Sequence, residues 1–210
     1  MGLEKLGLLF AILEPPEAME EEFNDWYDTE HIPERAAIPG ILTCQRFVYP
    51  AGSPRYLALY DLENTAVMES EAYRNVGPGH YSPWTQRINR HARVFIRRVY
   101  EQTFPGKTCL SDKVGTLVLQ EYDVRPGKEV LVDQWFAHRL SPSLQEMAGH
   151  LSTRRFVCID ASPRYLTLIE FEDPRLVENE RFREVFPGWQ DVEEHLEERA
   201  YRVYRKYERT

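Results

Sequence analysis

The stretch SPRYLALYDLE at residues 53–63 returns as SPRYLTLIEFE at residues 162–172, 109 positions later. A repeat restricts the fold more than any single motif, because two copies of one pattern specify two copies of one structural unit. At the same offset Trp26 meets Trp135, Pro33 meets Pro142, Gly40 meets Gly149, and Arg46-Phe47-Val48 meets Arg155-Phe156-Val157. The match runs on through Glu69/Glu178, Arg74/Arg183 and Pro78-Gly79/Pro187-Gly188 to Arg93-Val94/Arg202-Val203, with no gap from Phe23 onward. A one-residue slip would turn over every strand face, so both copies are expected to fold alike. They join near TFPGKTCLSDK, which gives a first unit at 1–104, a linker at 105–112 and a second unit at 113–210.

Within the first copy LGLLFAILE reads as an apolar strand ended by Pro15-Pro16. EAMEEEFNDWYDTEHIPERAAI reads as a helix, with Met19, Phe23, Trp26 and Tyr27 at helical spacing, and Pro33 and Pro39-Gly40 are expected to close it. ILTCQRFVYP and PRYLALYDLE form a hairpin across AGSP, AVMESEAYRNV reads as a second helix, SPWTQRIN as a short turn, and ARVFIRRVYEQ as a last strand. The second copy repeats the order, with RLVENERFREVF as its second helix. The fold class is therefore α+β: two tandem ferredoxin-like β-α-β-β-α-β units. Each such sheet leaves one face bare, so the two are expected to pack sheet to sheet as a pseudo-twofold barrel, its interior the natural pocket.

Composition narrows the function classes. With 42% hydrophobic residues, twelve Tyr and ten Phe the chain has material for a core. A net charge of −8 opposes nucleic acid and anionic membrane as partners. No apolar run is long enough to cross a bilayer, and the start lacks the features of a signal peptide, so a cytoplasmic protein is expected. Cys44, Cys109 and Cys158 have no CxxC spacing, and neither HExxH nor a glycine-rich phosphate loop occurs, so no metal and no nucleotide cofactor is expected.

WYDTEHIPE at 26–34, PGILTCQRF at 39–47 and PRYLALYDLE at 54–63 resemble the motif set of EthD-like proteins in the dimeric α/β-barrel superfamily. That superfamily also holds antibiotic-biosynthesis monooxygenases, muconolactone isomerases and small polyketide cyclases. The usual members pair two chains; this one resembles a fused tandem version. The resemblance implies a barrel acting on a small hydrophobic or aromatic molecule, with further pairing into a homodimer. Some relatives bind haem through a histidine, which would put His31, His80 or His195 forward, although no local haem signature is present.

His31 is the leading candidate for chemistry, since imidazole moves protons near neutrality. Its counterpart is Leu140, so the position points inward, and one copy carries a titratable group where the other carries packing. The alternative is a core histidine bonded to a backbone carbonyl. Tyr27 and Arg35 lie one turn to either side of His31, and Tyr27 becomes Phe136 in the second copy. Asp28, with Glu30, could orient the imidazole or form an exposed acidic face. Tyr56 and Tyr60, with Tyr165 of the second copy, share a strand face expected to line the barrel interior, while Leu57 and Leu59 pack beneath the helices. His80 either caps a short helix or reaches the cavity mouth. The leading function is a cofactor-independent enzyme using acid/base catalysis on a small oxygenated compound, of isomerase, cyclase, dehydratase or monooxygenase type. The alternatives are a non-catalytic ligand-binding or structural barrel, and a haem-binding one.

Overall fold

The computed structural model describes residues 5–178 and 191–209. Eight strands form one closed antiparallel barrel in the order β1-β3-β2-β8-β5-β7-β6-β4. The strands are β1 Gly7–Glu14, β2 Gln45–Val48, β3 Tyr56–Leu62, β4 Val94–Phe104, β5 Thr116–Val124, β6 His150–Cys158, β7 Tyr165–Phe171 and β8 Leu196–Lys206. Two ladders join the first four strands to the last four: β2 meets β8 at Phe47/Lys206, and β4 meets β6 at Tyr100/Cys158. Ser53-Pro54 and Ser162-Pro163, the openings of the repeated motif, are both cis.

The barrel interior is packed. Leu8, Phe10, Ile12, Leu57 and Leu59 from one side meet Leu117, Leu119, Leu166 and Leu168 from the other in a single buried cluster. This reverses the expected strand faces. Leu57 and Leu59 point into the barrel, and Tyr56, Ala58 and Tyr60 lie beneath the helices outside it. Tyr165 likewise sits in the outer cluster of the second copy. The physical reason is width: eight strands enclose a space that side chains just fill, here the leucines together with Phe10, Phe47, Tyr100, Phe156 and Tyr204. The interior is a core where a pocket was expected.

The first connection is one helical run that Pro33 does not end. α1 Glu20–Trp26 passes through a π-turn at Tyr27–His31 into α2 Ile32–Ala36. The Ile32 amide reaches back five residues to the Tyr27 carbonyl, a widened turn directly ahead of a residue with no amide hydrogen to donate. The second copy repeats the device with α5 Glu129–Trp135, a π-turn at Phe136–Leu140, and α6 Ser141–Gln145 containing Pro142.

The second connection also differs from expectation. AVMESEAYRNV forms a 3-10 turn, Thr65–Glu69, and a single turn α3 Glu71–Arg74, whereas the longer helix is α4 Pro83–His91, over the stretch read as a turn. Ser82 caps α4 by accepting from the Thr85 amide at 2.9 Å, and Pro83 fills its first position. In the second copy the 3-10 turn Pro174–Glu178 is present, but most of RLVENERFREVF, with the matches at residues 180, 183 and 187–188, lies outside the described residues.

Strand registers locate a break in the repeat. Gly7 pairs with Leu62 and Thr116 with Phe171, both members shifted by 109. Yet Gly7 also pairs with Glu101 while Thr116 pairs with Arg205, a shift of 104. The structural partner of Arg98-Val99-Tyr100 is thus Arg202-Val203-Tyr204, and the alignment of Arg93-Val94 with the latter stretch is a coincidence of composition. Five residues are missing from the second copy between β7 and β8, the interval that holds α4 in the first.

Candidate active site

Between the outer face of the β1–β3–β4 sheet and the helices of the first copy lies a pocket of about 430 Å³ including its open mouth. Leu9, Ala11 and Leu13 of β1 and Tyr60 of β3 form the floor. Trp26, Tyr27, His31 and Arg35 descend from the helical run, Thr85 and Asn89 from α4, and Phe95 and Arg97 from β4. Its enclosed part, about 40 Å³, has room for a few ordered waters, so a bound organic molecule would extend into the mouth.

Helix geometry explains why these four helical side chains converge. Trp26, Tyr27, His31 and Arg35 recur at spacings of one to four residues, and the widened π-turn keeps them on the sheet-facing side across Pro33. The imidazole of His31 packs against Trp26 with ring centroids 4.3 Å apart and meets Tyr27 edge-on at 5.2 Å. Trp26 is fixed in turn by donating from Nε1 to Thr85 at 2.9 Å.

The electrostatics of the pocket are unusual for a protein interior. Three buried polar atoms, His31 Nδ1, Arg35 Nη1 and Tyr60 Oη, have no hydrogen-bond partner. Each forfeits the bonds it made with water; others occur elsewhere among the described residues, Arg154 Nη2, Arg155 Nη2 and Tyr204 Oη included, but these three belong to residues that line one pocket. His31 keeps some exposed surface, but Nδ1 itself is sealed. Burial, and then the charges of Arg35 and Arg46, hold its pKa well below the usual histidine value, so the ring is neutral and able to accept a proton. Burial pushes Tyr27 up to about 12, the nearby Arg46 opposing it and the Tyr60 hydroxyl favouring ionisation from close by without a bond of regular geometry. Tyr60 is raised well above the ordinary phenol range, again chiefly by burial. Both are hydroxyl donors at neutral pH.

The structure brings together His31, Tyr27 and Tyr60 of the residues named from sequence, and places the others elsewhere. Asp28 turns away from the imidazole to Arg46 at 3.0 Å, and the Arg46 guanidinium lies 4.1 Å from the Tyr27 ring centre. Glu30 accepts from Thr85 at 3.1 Å, on the α4 side. Tyr56 donates to Glu20 and faces a separate acidic surface groove with Glu17, Glu21 and Asp25. Tyr165 stacks on Tyr122 with centroids 5.6 Å apart, and His80 is exposed, outside the pocket lining. Arg35 was recognised only as a neighbour of His31, and Trp26, Thr85 and Arg97 were missed as pocket residues. One signal could have found Arg35: its counterpart at the 109 offset is Leu144. The four polar groups Tyr27, His31, Arg35 and Tyr60 become Phe136, Leu140, Leu144 and Ile169, all members of the apolar cluster in the second copy.

Comparison with known proteins yields fold and no family. No family model matches the chain, and no curated protein does. Among solved structures, a candidate monooxygenase from Fusobacterium nucleatum matches with a TM-score of 0.68 at 8% identity, covering 99% of this chain and 94% of that one. An anthrone oxidase-like protein matches at 0.66 and 10% identity, over 99% of this chain and 93% of that one. A mutant chlorite dismutase from Candidatus Nitrospira defluvii matches at 0.62 and 9%, over 98% and 93%. At these identities the likeness establishes an α/β barrel.

Proposed function

We propose that the chain is an enzyme that performs acid/base chemistry on a small aromatic, oxygenated compound in the His31 pocket. The observation that carries this reading is the convergence of three unpartnered buried polar atoms on one cavity, at positions where the second copy has leucine, leucine and isoleucine. The barrel therefore does not need these groups to fold. They are a cost to stability that a bound ligand would offset.

In this reading the His31 imidazole, which lines the pocket and is neutral beforehand, accepts a proton from the substrate. Burial and the charges of Arg35 and Arg46 disfavour the imidazolium so formed, and contact with the Trp26 face offsets part of that cost. Tyr27 and Tyr60 direct hydroxyls at the substrate oxygen, and Asp28 positions Tyr27 through Arg46. The names of the structural neighbours favour the oxygenase form over the isomerase, cyclase and dehydratase forms. There the carbanion left by proton removal reacts with dioxygen, CH₂ and O₂ becoming C=O and H₂O, with the substrate as reductant.

His31→Ala should reduce oxygen uptake with a phenolic substrate by at least about a hundredfold while the unfolding midpoint moves little. Retained turnover would remove His31 from the chemistry, and would leave the non-catalytic binding barrel as the better account.

Haem does not fit this pocket. The imidazole face is covered by Trp26 at 4.3 Å, and a space of about 430 Å³ with its mouth leaves no slot for the macrocycle. His80 is exposed on a loop, and His195 is occupied by Glu194 at 3.4 Å. No step is derived through haem.

The strand order β4-β1-β3-β2 followed by β8-β5-β7-β6 supports reading the chain as two tandem ferredoxin-like units, 1–104 and 113–210 joined by 105–112. An EthD-like origin by fusion is proposed on the resemblance carried by residues 26–34, 39–47 and 54–63. Cytoplasmic location and pairing of two such chains into a homodimer are proposed on the same resemblance. No helix among the described residues is long and apolar enough to cross a membrane.

A further inference from the structure

We infer that the pocket takes its aromatic ligand as an anion, a small aromatic carboxylate whose charge is held by Arg35. This rests on reading the pocket as the substrate site, and specifies the substrate class.

Four arginines are buried among the described residues, and their partners separate them. Arg154 contacts two carboxylates at 2.6 and 2.8 Å, Arg46 contacts Asp28 at 3.0 Å, and Arg155 contacts Asp133. Arg35, only 3% exposed, has as its nearest carboxylate Glu34 at 3.9 Å. It donates from Nη2 to the Val76 carbonyl at 2.8 Å, and Nη1 has no partner. Burial of a guanidinium is stabilised when a negative charge lies in hydrogen-bonding contact, and here the protein supplies none at that range. The same pocket contains a second arginine, Arg97, which donates to the Tyr73 hydroxyl at 3.2 Å. Among the described residues no aspartate or glutamate lines the cavity. Two cations and no anion make it a receptor for negative charge.

The remaining walls select the rest of the ligand. Trp26, Tyr27, Tyr60 and Tyr73 line the cavity with aromatic rings, Phe95 is half exposed, and Leu9 and Leu13 add apolar surface. A ring would pack against these surfaces from the mouth, beside Phe95, with its carboxylate toward Arg35. A neutral compound would leave Nη1 unpaired, so discrimination should follow charge. In the second copy Arg35 is replaced by Leu144, a member of the apolar cluster there.

The test is calorimetric titration of the full chain with benzoate, benzamide and acetate. Benzoate should bind one to one and at least about tenfold tighter than either benzamide or acetate, the first comparison reading charge and the second the ring. Arg35→Gln should abolish the preference for benzoate over benzamide, and Arg97→Gln should weaken it. Because Arg35 also holds the Val76 carbonyl, its variant could fail to fold; the three-ligand comparison on the unmodified chain decides the matter without it. Equal affinities for benzoate and benzamide, equal affinities for benzoate and acetate, or no benzoate binding would each overturn the inference. Loss of turnover in His31→Ala with benzoate discrimination absent in the unmodified chain would leave the acid/base reading standing alone. Discrimination with turnover retained in His31→Ala would do the reverse.

Discussion

Protonating His31 would put a third positive charge beside Arg35 and Arg46, inside a wall of aromatic rings and out of reach of any carboxylate bond. The folded chain resists this and the unfolded chain does not. Between the depressed folded pKa and the ordinary value near 6.5, the unfolded state holds a proton that the folded state refuses, so stability is full above about pH 6.5 and falls as pH drops below it. The slope from this one group is at most about 1.4 kcal/mol per pH unit. His31→Leu should flatten that part of the profile in urea unfolding at pH 5 to 8, and Leu140 in the other copy indicates that leucine is accommodated at such a position. His150, also depressed by burial, contributes in both proteins and cancels in the difference. At this scale the sequence was informative where the copies diverge: His31/Leu140 and Tyr27/Phe136 pointed to the pocket directly. It misled for Tyr56 and Tyr165, because alternation assigns residues to two faces without saying which face is inside. Closure of the barrel decided that, and closure is a property of all eight strands.

Local elements were legible as far as their chemistry is local. The strands followed from alternation and turn residues, but the helical run defeated the usual meaning of an internal proline, since a π-turn absorbed Pro33 and Pro142 alike. Ser82-Pro83 was a helix start visible in the sequence and read as a turn; the cap and the proline at the first position were both there. The five-residue shift before β8 was hidden by a chance Arg-Val match and became visible through pairing alone. Gly149, at the turn into β6, has φ +75, its carbonyl accepts from Glu172 at 2.9 Å, and a Cβ there would lie 2.3 Å from Leu176. Gly127 has φ +80 with nothing near its missing side chain. Gly127→Ala should therefore cost only the backbone strain, about 1–2 kcal/mol, and Gly149→Ala clearly more, because Leu176 must also move. Thermal unfolding of the two variants side by side separates strain from collision; equal losses would show that Leu176 gives way freely.

At the scale of the molecule, one end of the barrel is secured by three charges with almost no exposure. Asp61 of β3 and Glu170 of β7 occupy equivalent positions in the two copies, and Arg154 of β6 bridges them at 2.6 and 2.8 Å. The connecting segment caps the same carboxylates: the Leu110 amide donates to Asp61 at 2.6 Å and the Ser111 amide to Glu170 at 3.0 Å. The charge symmetry breaks at Arg154, whose counterpart is Gln45, which donates to the Ser111 carbonyl at 3.2 Å. Arg154→Gln restores the formal symmetry and should be severely destabilising. It leaves two buried carboxylates facing each other without a cation, a loss on the order of 3–5 kcal/mol. A second variant separates charge from packing. Arg154→Lys returns a cation to the two carboxylates and should lose less than Arg154→Gln in chemical unfolding against the unmodified chain. Equal losses would mean that Arg154 stabilises the barrel by packing against Phe156, whose ring centre is 5.3 Å away, rather than by its charge.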